Sequence, residues 1–344
     1  MRKNEADIKK RAAVLFASWR ADWNKFIKEV LGVTLDEEQQ AIVTAVQTNK
    51  LVSVRSGTAR GKDFVAACCA VCWLYLKPRW NTKGELIENA KVALTAPTDR
   101  QVKNIMMPEV SRLYNRAKRR NFVLPGRLNA YDIRTDNDEW FLTGFKADEN
   151  NHEAWSGFHA VHTFFIVTEA TGIVDDTFEA IEGNLQGDSC LLLVFNPNTN
   201  IGYAARSQKA KRWKKFCLNS LTAPNVREKK NIIPGQVDYE WVKERVEIWC
   251  EPIRTEDISE KENDFEFIAI DETILTGDAN QDGIINVNDV TYLQMHIAGN
   301  KNTDGSALID ETNKQLFDCV DMNKDGKLSV SDVTELQIYI SNNN

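Results

Sequence analysis

The sequence predicts an α/β fold, a mostly parallel sheet covered by helices on both faces, followed by a small all-α unit. Three observations predict it. Apolar runs without alternation, such as residues 164–167 (FFIV) and 190–195 (CLLLVF), recur between helical patterns, which is how strands buried on both faces read. The apolar run from Leu51 breaks into small residues and then Gly61-Lys62 before a helical pattern resumes, the shape of a phosphate-binding loop. Residues 277–297 and 320–340 align without a gap, and each carries D-x-N-x-D-G-x₅-D, a spacing that sets oxygen ligands at alternate positions.

The composition fits a soluble two-domain chain: 344 residues, 42% hydrophobic and 27% charged. No apolar run is long enough for a membrane span, and residues 1–23 mix charges into an amphipathic pattern unlike a signal peptide, so a cytoplasmic location is expected and no membrane partner. The net charge of −7 is unevenly placed. Residues 272–344 hold twelve acids against four bases, which leaves the rest near +1. Seven cysteines (Cys68, Cys69, Cys72, Cys190, Cys217, Cys250, Cys319) are scattered without a C-x-x-C pair and read as reduced core residues. Two basic clusters, residues 112–120 and 209–215, could meet a phosphate backbone or be solvated helix faces.

Along the chain, residues 6–30 carry apolar and aromatic side chains at helical spacing and predict one amphipathic helix ending at Gly32. A second helix, LDEEQQAIVTAV, places Gln39 or Gln40 just before the phosphate loop, where an adenine-reading amide often sits. In the loop, Gly57, Gly61 and Lys62 suit a phosphate cradle. Ser56 stands where the first glycine of G-x-x-x-x-G-K-[ST] belongs, and Asp63 where its Mg²⁺-binding hydroxyl belongs. Further strands are expected to end at Ala96-Pro97-Thr98, at Thr168-Glu169 and at Asn196-Pro197-Asn198. Since ligands of such sheets bind at the carboxyl ends of strands, these ends and the phosphate loop should surround one nucleotide.

The stretches VSVRSGTARGKD, LTAPTDRQV, SGFHAVHTFFIVTEATGI, FNPNTNIGYAARS, SLTAPNV and NIIPGQVDYEWVKERVEIW, in this order, resemble the ATPase half of the large terminase subunits that drive DNA into tailed-phage capsids. The resemblance spans roughly residues 20–255. It implies ATP and Mg²⁺ as cofactors, and double-stranded DNA, the portal and the small terminase subunit as partners, and it allows a homo-oligomeric ring. It further implies that Lys62 holds the β- and γ-phosphates, that Glu169 orients the attacking water, and that Asn196 senses the γ-phosphate. Gln39 becomes the candidate for adenine, and Arg55 or Arg60 for neutralising transition-state charge. Where the family's strand ends Asp-Glu, this one ends Thr168-Glu169, so hydroxyl and carboxylate are exchanged between loop and strand. The nuclease half of the family is not expected, because residues 251–276 read as a charged linker.

In the tail the repeated loops offer Asp278, Asn280, Asp282, Asn286 and Asp289, then Asp321, Asn323, Asp325, Ser329 and Asp332, as ligands for two Ca²⁺ ions. Gly283 and Gly326 permit the sharp turn. Each loop feeds a helix whose stripe, Val290, Leu293 and Ile297 or Val333, Leu336 and Ile340, can bury its counterpart. The pair resembles a type I dockerin, the calcium-dependent module that binds cohesins in cellulosome assemblies, and the resemblance implies a cohesin partner chosen through Val287, Asn288, Val330 and Ser331. The expected organisation is a P-loop ATPase over residues 1–250, a linker over 251–276 and a dockerin over 277–344. The other reading of the same residues is a cohesin-binding module whose NTPase-like body is inert.

Overall fold

A computed structural model describes residues 2–147, 155, 158–249, 275–281, 284–302 and 306–343. The chain divides into two compact units, Met1–Glu251 and Pro252–Asn344, each taken by itself below.

The first unit opens with α1 (Arg2–Ala21), α2 (Trp23–Phe26) and a wide helical turn, Ile27–Leu31, ending at Gly32. The single helix expected over residues 6–30 is broken at Asp22, whose extended backbone and carboxylate cap a new helix at Lys25 N. Next come α3 (Glu37–Thr48), β1 (Leu51–Ser56), α4 (Lys62–Leu76), β2 (Arg79–Trp80), β3 (Leu86–Glu88) and β4 (Ala90–Ala96). A short α5 (Asp99–Gln101) leads through the wide turn Val102–Met106 into α6 (Met107–Arg119). The remainder is β5 (Arg127–Leu128), β6 (Asp132–Arg134), β7 (Phe141–Lys146), β8 (His162–Thr168), α7 (Asp175–Gly183), β9 (Asp188–Phe195), α8 (Gly202–Lys209), β10 (Lys214–Leu218), α9 (Pro224–Arg227) and α10 (Tyr239–Trp249).

Eight strands form one sheet in the order β10-β1-β9-β8-β4-β7-β6-β5. The first six are parallel, and β6 and β5 add an antiparallel edge that the sequence pattern did not announce. Every residue of β4 and β8 is buried, as runs without alternation require of strands covered on both faces. On one face α4 is the central helix, buried from Val65 to Leu76. Its Trp73 ring stacks on Phe164 of β8 at 4.8 Å and meets Trp23 edge-on at 6.0 Å. The other face holds a second cluster, Phe165, Leu191, Leu193 and Phe195 with Phe178 and Trp213.

Cys68, Cys69, Cys72 and Cys190 are buried and unbridged in this core, as expected, and burial pushes their thiols well up. Cys217 departs from that expectation by being exposed on the edge strand, and Cys250 lies outside the described residues. No helix among the described residues is long and apolar enough to cross a membrane.

The second unit contains α11 (Val287–Ile297), α12 (Lys314–Val320) and α13 (Val330–Asn343). Val290 and Leu293 pack with Val333 and Leu336, and Ile297 and Ile340 lie against them, so the two stripes do bury each other. The spacer between the repeats is less idle than its sequence suggests. Ile309 and Leu316 of the spacer complete the same core, with Val320 at the start of the second repeat.

Candidate functional site

The loop after β1 is shaped by two left-handed residues, Ala59 at φ 53° and Gly61 at φ 77°. Gly61 is required twice over, since its conformation disfavours a side chain and a Cβ there would lie 2.8 Å from Gln39 Nε2. The loop delivers the chain into α4 with Lys62 and Asp63 in its first turn. Among the described residues the backbone N–H groups of Gly61, Lys62 and Asp63 have no acceptor, so the positive end of a fifteen-residue helix faces the space above it.

Adjacent strands bring the other expected residues to that point. Glu169 follows β8 and Asn196 follows β9, and Lys62 Nζ lies 2.7 Å from Glu169 Oε1 and 2.6 Å from Asn196 Oδ1. The Asn196 amide also donates to Ser56 O at 3.0 Å, which ties the end of β9 to the start of the loop. Ser56 itself turns its hydroxyl onto Gly57 O. Glu169 is held at φ 50°, a left-handed backbone that a non-glycine residue adopts at a cost and that aims its carboxylate back at Lys62. Asp63 Oδ2 is 3.5 Å from Lys62 Nζ, and Thr168 Oγ1 donates to Asp63 Oδ1 at 2.5 Å. Asp63, which departs from the phosphate-loop pattern, and Thr168, which departs at the strand end, are therefore direct partners.

A cavity of about 450 Å³ opens over the loop, floored by Gly57, Lys62 and Asp63 and walled by α6 on one side and by Ile233–Gln236 on the other. Its α6 wall carries Glu109, Arg112 and Arg116, side chains whose part in this site the sequence reading missed. Burial pushes the Glu109 carboxyl up, Arg112 at 2.7 Å draws it back, and the charge of Asp63 pushes it up again. The residues 112–120, read as a surface for a phosphate backbone or a solvated face, thus divide. Arg112 and Arg116 face the cavity, while Arg120 donates to Glu29 O. Helical spacing of i, i+3 and i+7 from Glu109 was the available signal, but nothing in the sequence says which face of α6 meets the loop.

The contacts and the cavity lining bear on four of the expected residues. Arg60 is fully buried and does not point at the phosphate position. Its guanidinium binds Asp36 Oδ2 at 3.0 Å, Glu38, Asn219 O at 2.8 Å and Gln236 Oε1 at 3.3 Å, because four acceptors converge on a pocket that only a fork of donors can fill. Gln39 lines the cavity, but its amide oxygen accepts from Asp36 N and its nitrogen donates to Arg60 O, so the group expected to read adenine is engaged at both ends. Arg55 sits half-buried in β1 on the face of Ser53, whose hydroxyl meets Ser207, and it does not line the cavity. Thr98 likewise serves structure, capping α5 through Gln101.

An oxygen pair made of a carboxylate and a hydroxyl at the foot of a phosphate cradle suits Mg²⁺, a hard cation that keeps most of its waters and takes one or two protein oxygens.

In the second unit both repeats make the same bonds. Asp289 accepts from Asn280 N at 3.3 Å and Asn286 N at 2.8 Å, and Asp332 accepts from Asn323 N at 3.2 Å and Ser329 N at 2.9 Å. Asp321 accepts from Asp325 N and Gly326 N, and Asp325 from Lys327 N. Gln281 and Lys324 are both left-handed, at φ 58° and 55°. Asp278, Asp289 and Asp332 are fully buried and Asp321 nearly so. Among the described residues no three His, Cys, Asp or Glu side chains are drawn together as for a metal, and Asp282 with Gly283 of the first loop lies outside them.

No family model matches the sequence. A curated protein described as a probable terminase, large subunit, of Enterobacteria phage P7 is 27% identical over 191 residues, 55% of this chain. Among solved structures, the large terminase ATPase domain of Thermus phage P74-26 is similar at a TM-score of 0.46 and 18% identity, covering 65% of this chain and 91% of that one. The HK97 bacteriophage large terminase is similar at a TM-score of 0.43 and 14% identity, covering 63% and 47%. By sequence, then, this chain is similar over 55% of its length to a phage terminase large subunit, and it spans 37% of that relative's length.

Proposed function

We propose that the first unit hydrolyses ATP to move DNA, in the manner of the ATPase half of a packaging motor. The observation that carries the reading is Lys62 held between Glu169 and Asn196 beneath the free N–H groups at the head of α4. Those N–H groups and Lys62 take the β- and γ-phosphates. Polyphosphate competes for the Lys62 ammonium, and Glu169, released from it, orients the attacking water and accepts its proton. Asn196 touches the γ-phosphate and passes the change to the loop through Ser56 O. Mg²⁺, held through Asp63 and Thr168, would supply charge neutralisation of the phosphates. The curated relative is described only as a probable terminase, large subunit; double-stranded DNA and the capsid-side packaging components enter as the partners that the resemblance implies.

For residues 277–344 we extend the reading to a calcium-dependent, cohesin-binding module, joined to the ATPase of residues 1–250 by the segment 251–276, of which residues 251–274 lie outside the described residues. The matching bonds of Asp289 and Asp332, and the burial of Asp278 and Asp321, support it, since buried carboxylates in so small a unit call for a cation. The two readings separate in one experiment. ATP turnover by the full chain that rises with double-stranded DNA supports the motor. Absence of ATP binding leaves a cohesin-binding module with an inert body.

A further inference from the structure

We infer that Asp63 and Thr168 form one exchanged metal dyad, in which the loop supplies the carboxylate and the strand supplies the hydroxyl. This rests on the nucleotide reading above. A phosphate-loop site ordinarily meets Mg²⁺ with a neutral hydroxyl from the loop and a carboxylate from the neighbouring strand. Here the same two chemical groups are present at the same two places in reverse, and their oxygens are 2.5 Å apart.

Two further observations favour an ion over a plain hydrogen bond. Thr168 is buried, whereas the Asp63 side chain keeps 20% of its surface and lines the cavity floor, so the carboxylate has lone pairs facing the phosphate position. The groups around the Lys62 ammonium are also out of balance. In direct contact with Lys62, Asp63 and Glu169 bring two negative charges against one positive charge, while Arg112, paired with Glu109, and Arg116 line the α6 wall of the cavity. An anion beside the phosphates is tolerable at the head of α4 only if a cation lies between them. In the usual arrangement the loop hydroxyl repels nothing, so affinity for bare nucleotide is modestly metal-dependent. In this one the loop itself repels bare nucleotide.

The test is equilibrium binding of ATP to the full chain with Mg²⁺ and without it, calcium held constant in both arms. Mg²⁺ should tighten binding by about 100-fold. Asp63→Asn keeps the shape and removes the charge. It should cut that ratio to about 3-fold, chiefly by strengthening metal-free binding, a gain that a damaged fold cannot produce. The exchange Asp63→Thr with Thr168→Asp should recover at least about tenfold dependence, more than the two single changes combined. Paramagnetic resonance of Mn²⁺ provides a readout without any variant: with calcium saturating, adding ATP should increase the Mn²⁺ held by the wild type by one per chain. Wild-type binding that ignores Mg²⁺, or an Asp63→Asn effect equal in both arms, overturns the shared ion and leaves the nucleotide reading standing. No ATP binding in either arm overturns both.

Discussion

The phosphate loop of the first unit and the acidic loops of the second solve the same backbone problem with opposite signs. Both use left-handed residues to curl a short segment so that successive N–H groups point inward: Ala59 and Gly61 in one, Gln281 and Lys324 in the other. In the phosphate loop the N–H groups of Gly61, Lys62 and Asp63 have no acceptor among the described residues, and what they can take is an anion. In the acidic loops Asp289, Asp321 and Asp332 accept those N–H bonds with their own carboxylates, and what remains is unspent negative charge. The difference is a matter of which side chains follow the turn, because the backbone supplies the same dipoles in both.

The strongest way to break this comparison is to withdraw calcium. Chelation should lower amide-exchange protection of Val287–Ile297 and Val330–Asn343 by about a thousandfold or more, since the aspartates then repel without a counter-ion, while β1 and β8 stay protected. Unchanged exchange would mean that hydrogen bonds alone satisfy the loops. Facing the phosphate loop from the end of β8, Glu169→Gln should reduce ATP turnover by about 10³-fold with ATP affinity kept, measured by single-turnover kinetics beside titration. Lys62→Ala should instead weaken ATP binding by about 30- to 100-fold, because it removes the one cation in contact with Glu169 and Asn196. Gly61→Ala should cost about 1–2 kcal/mol of stability in denaturant melts, from a left-handed alanine whose Cβ meets the Gln39 amide.

The smallest effect belongs to a control at the amino ends of the strands. Asp188 is held down to about 2 by a hydrogen bond with His162 at 2.5 Å and by Lys77. A carboxyl lowered on folding stabilises in full above its ordinary value of 3.8, and loses that contribution as pH falls toward 2. Asp188→Asn should therefore cost about 1 kcal/mol at neutral pH, a figure already reduced for a half-exposed group, and nothing near pH 2, with neither ATP nor calcium binding altered.

How much was legible depended on whether a feature is local. Strands buried on both faces announce themselves, so β1, β4, β8 and β9 and the residues at their ends could be placed from apolar runs alone. The meeting of Lys62 with Glu169 and Asn196 followed from strand ends, because parallel strands put their carboxyl ends on one side. Side-chain direction was not legible. The resemblance offered Arg60, beside Arg55, as a charge near phosphate, but its direction is set by Asp36, Asn219 and Gln236, which are far from it in sequence. Gln39 was misjudged for the same reason, being engaged by Arg60 O. The edge strands β5 and β6 are two and three residues long, too short for any period to show.

The Arg60 clamp has a consequence for how the chain acquires its shape. Its guanidinium joins residues on the N-terminal side, Asp36 and Glu38, to Asn219 and Gln236, and Ala59 O accepts from Val237 N. During synthesis the whole phosphate-loop sequence therefore emerges long before the segment that closes it. Contacts spanning 159 and 176 residues are among the slowest to form, so the loop's final curvature waits for nearly the entire first unit. A fragment ending before Asn219 would hold every letter of the loop and lack the clasp that fixes its form.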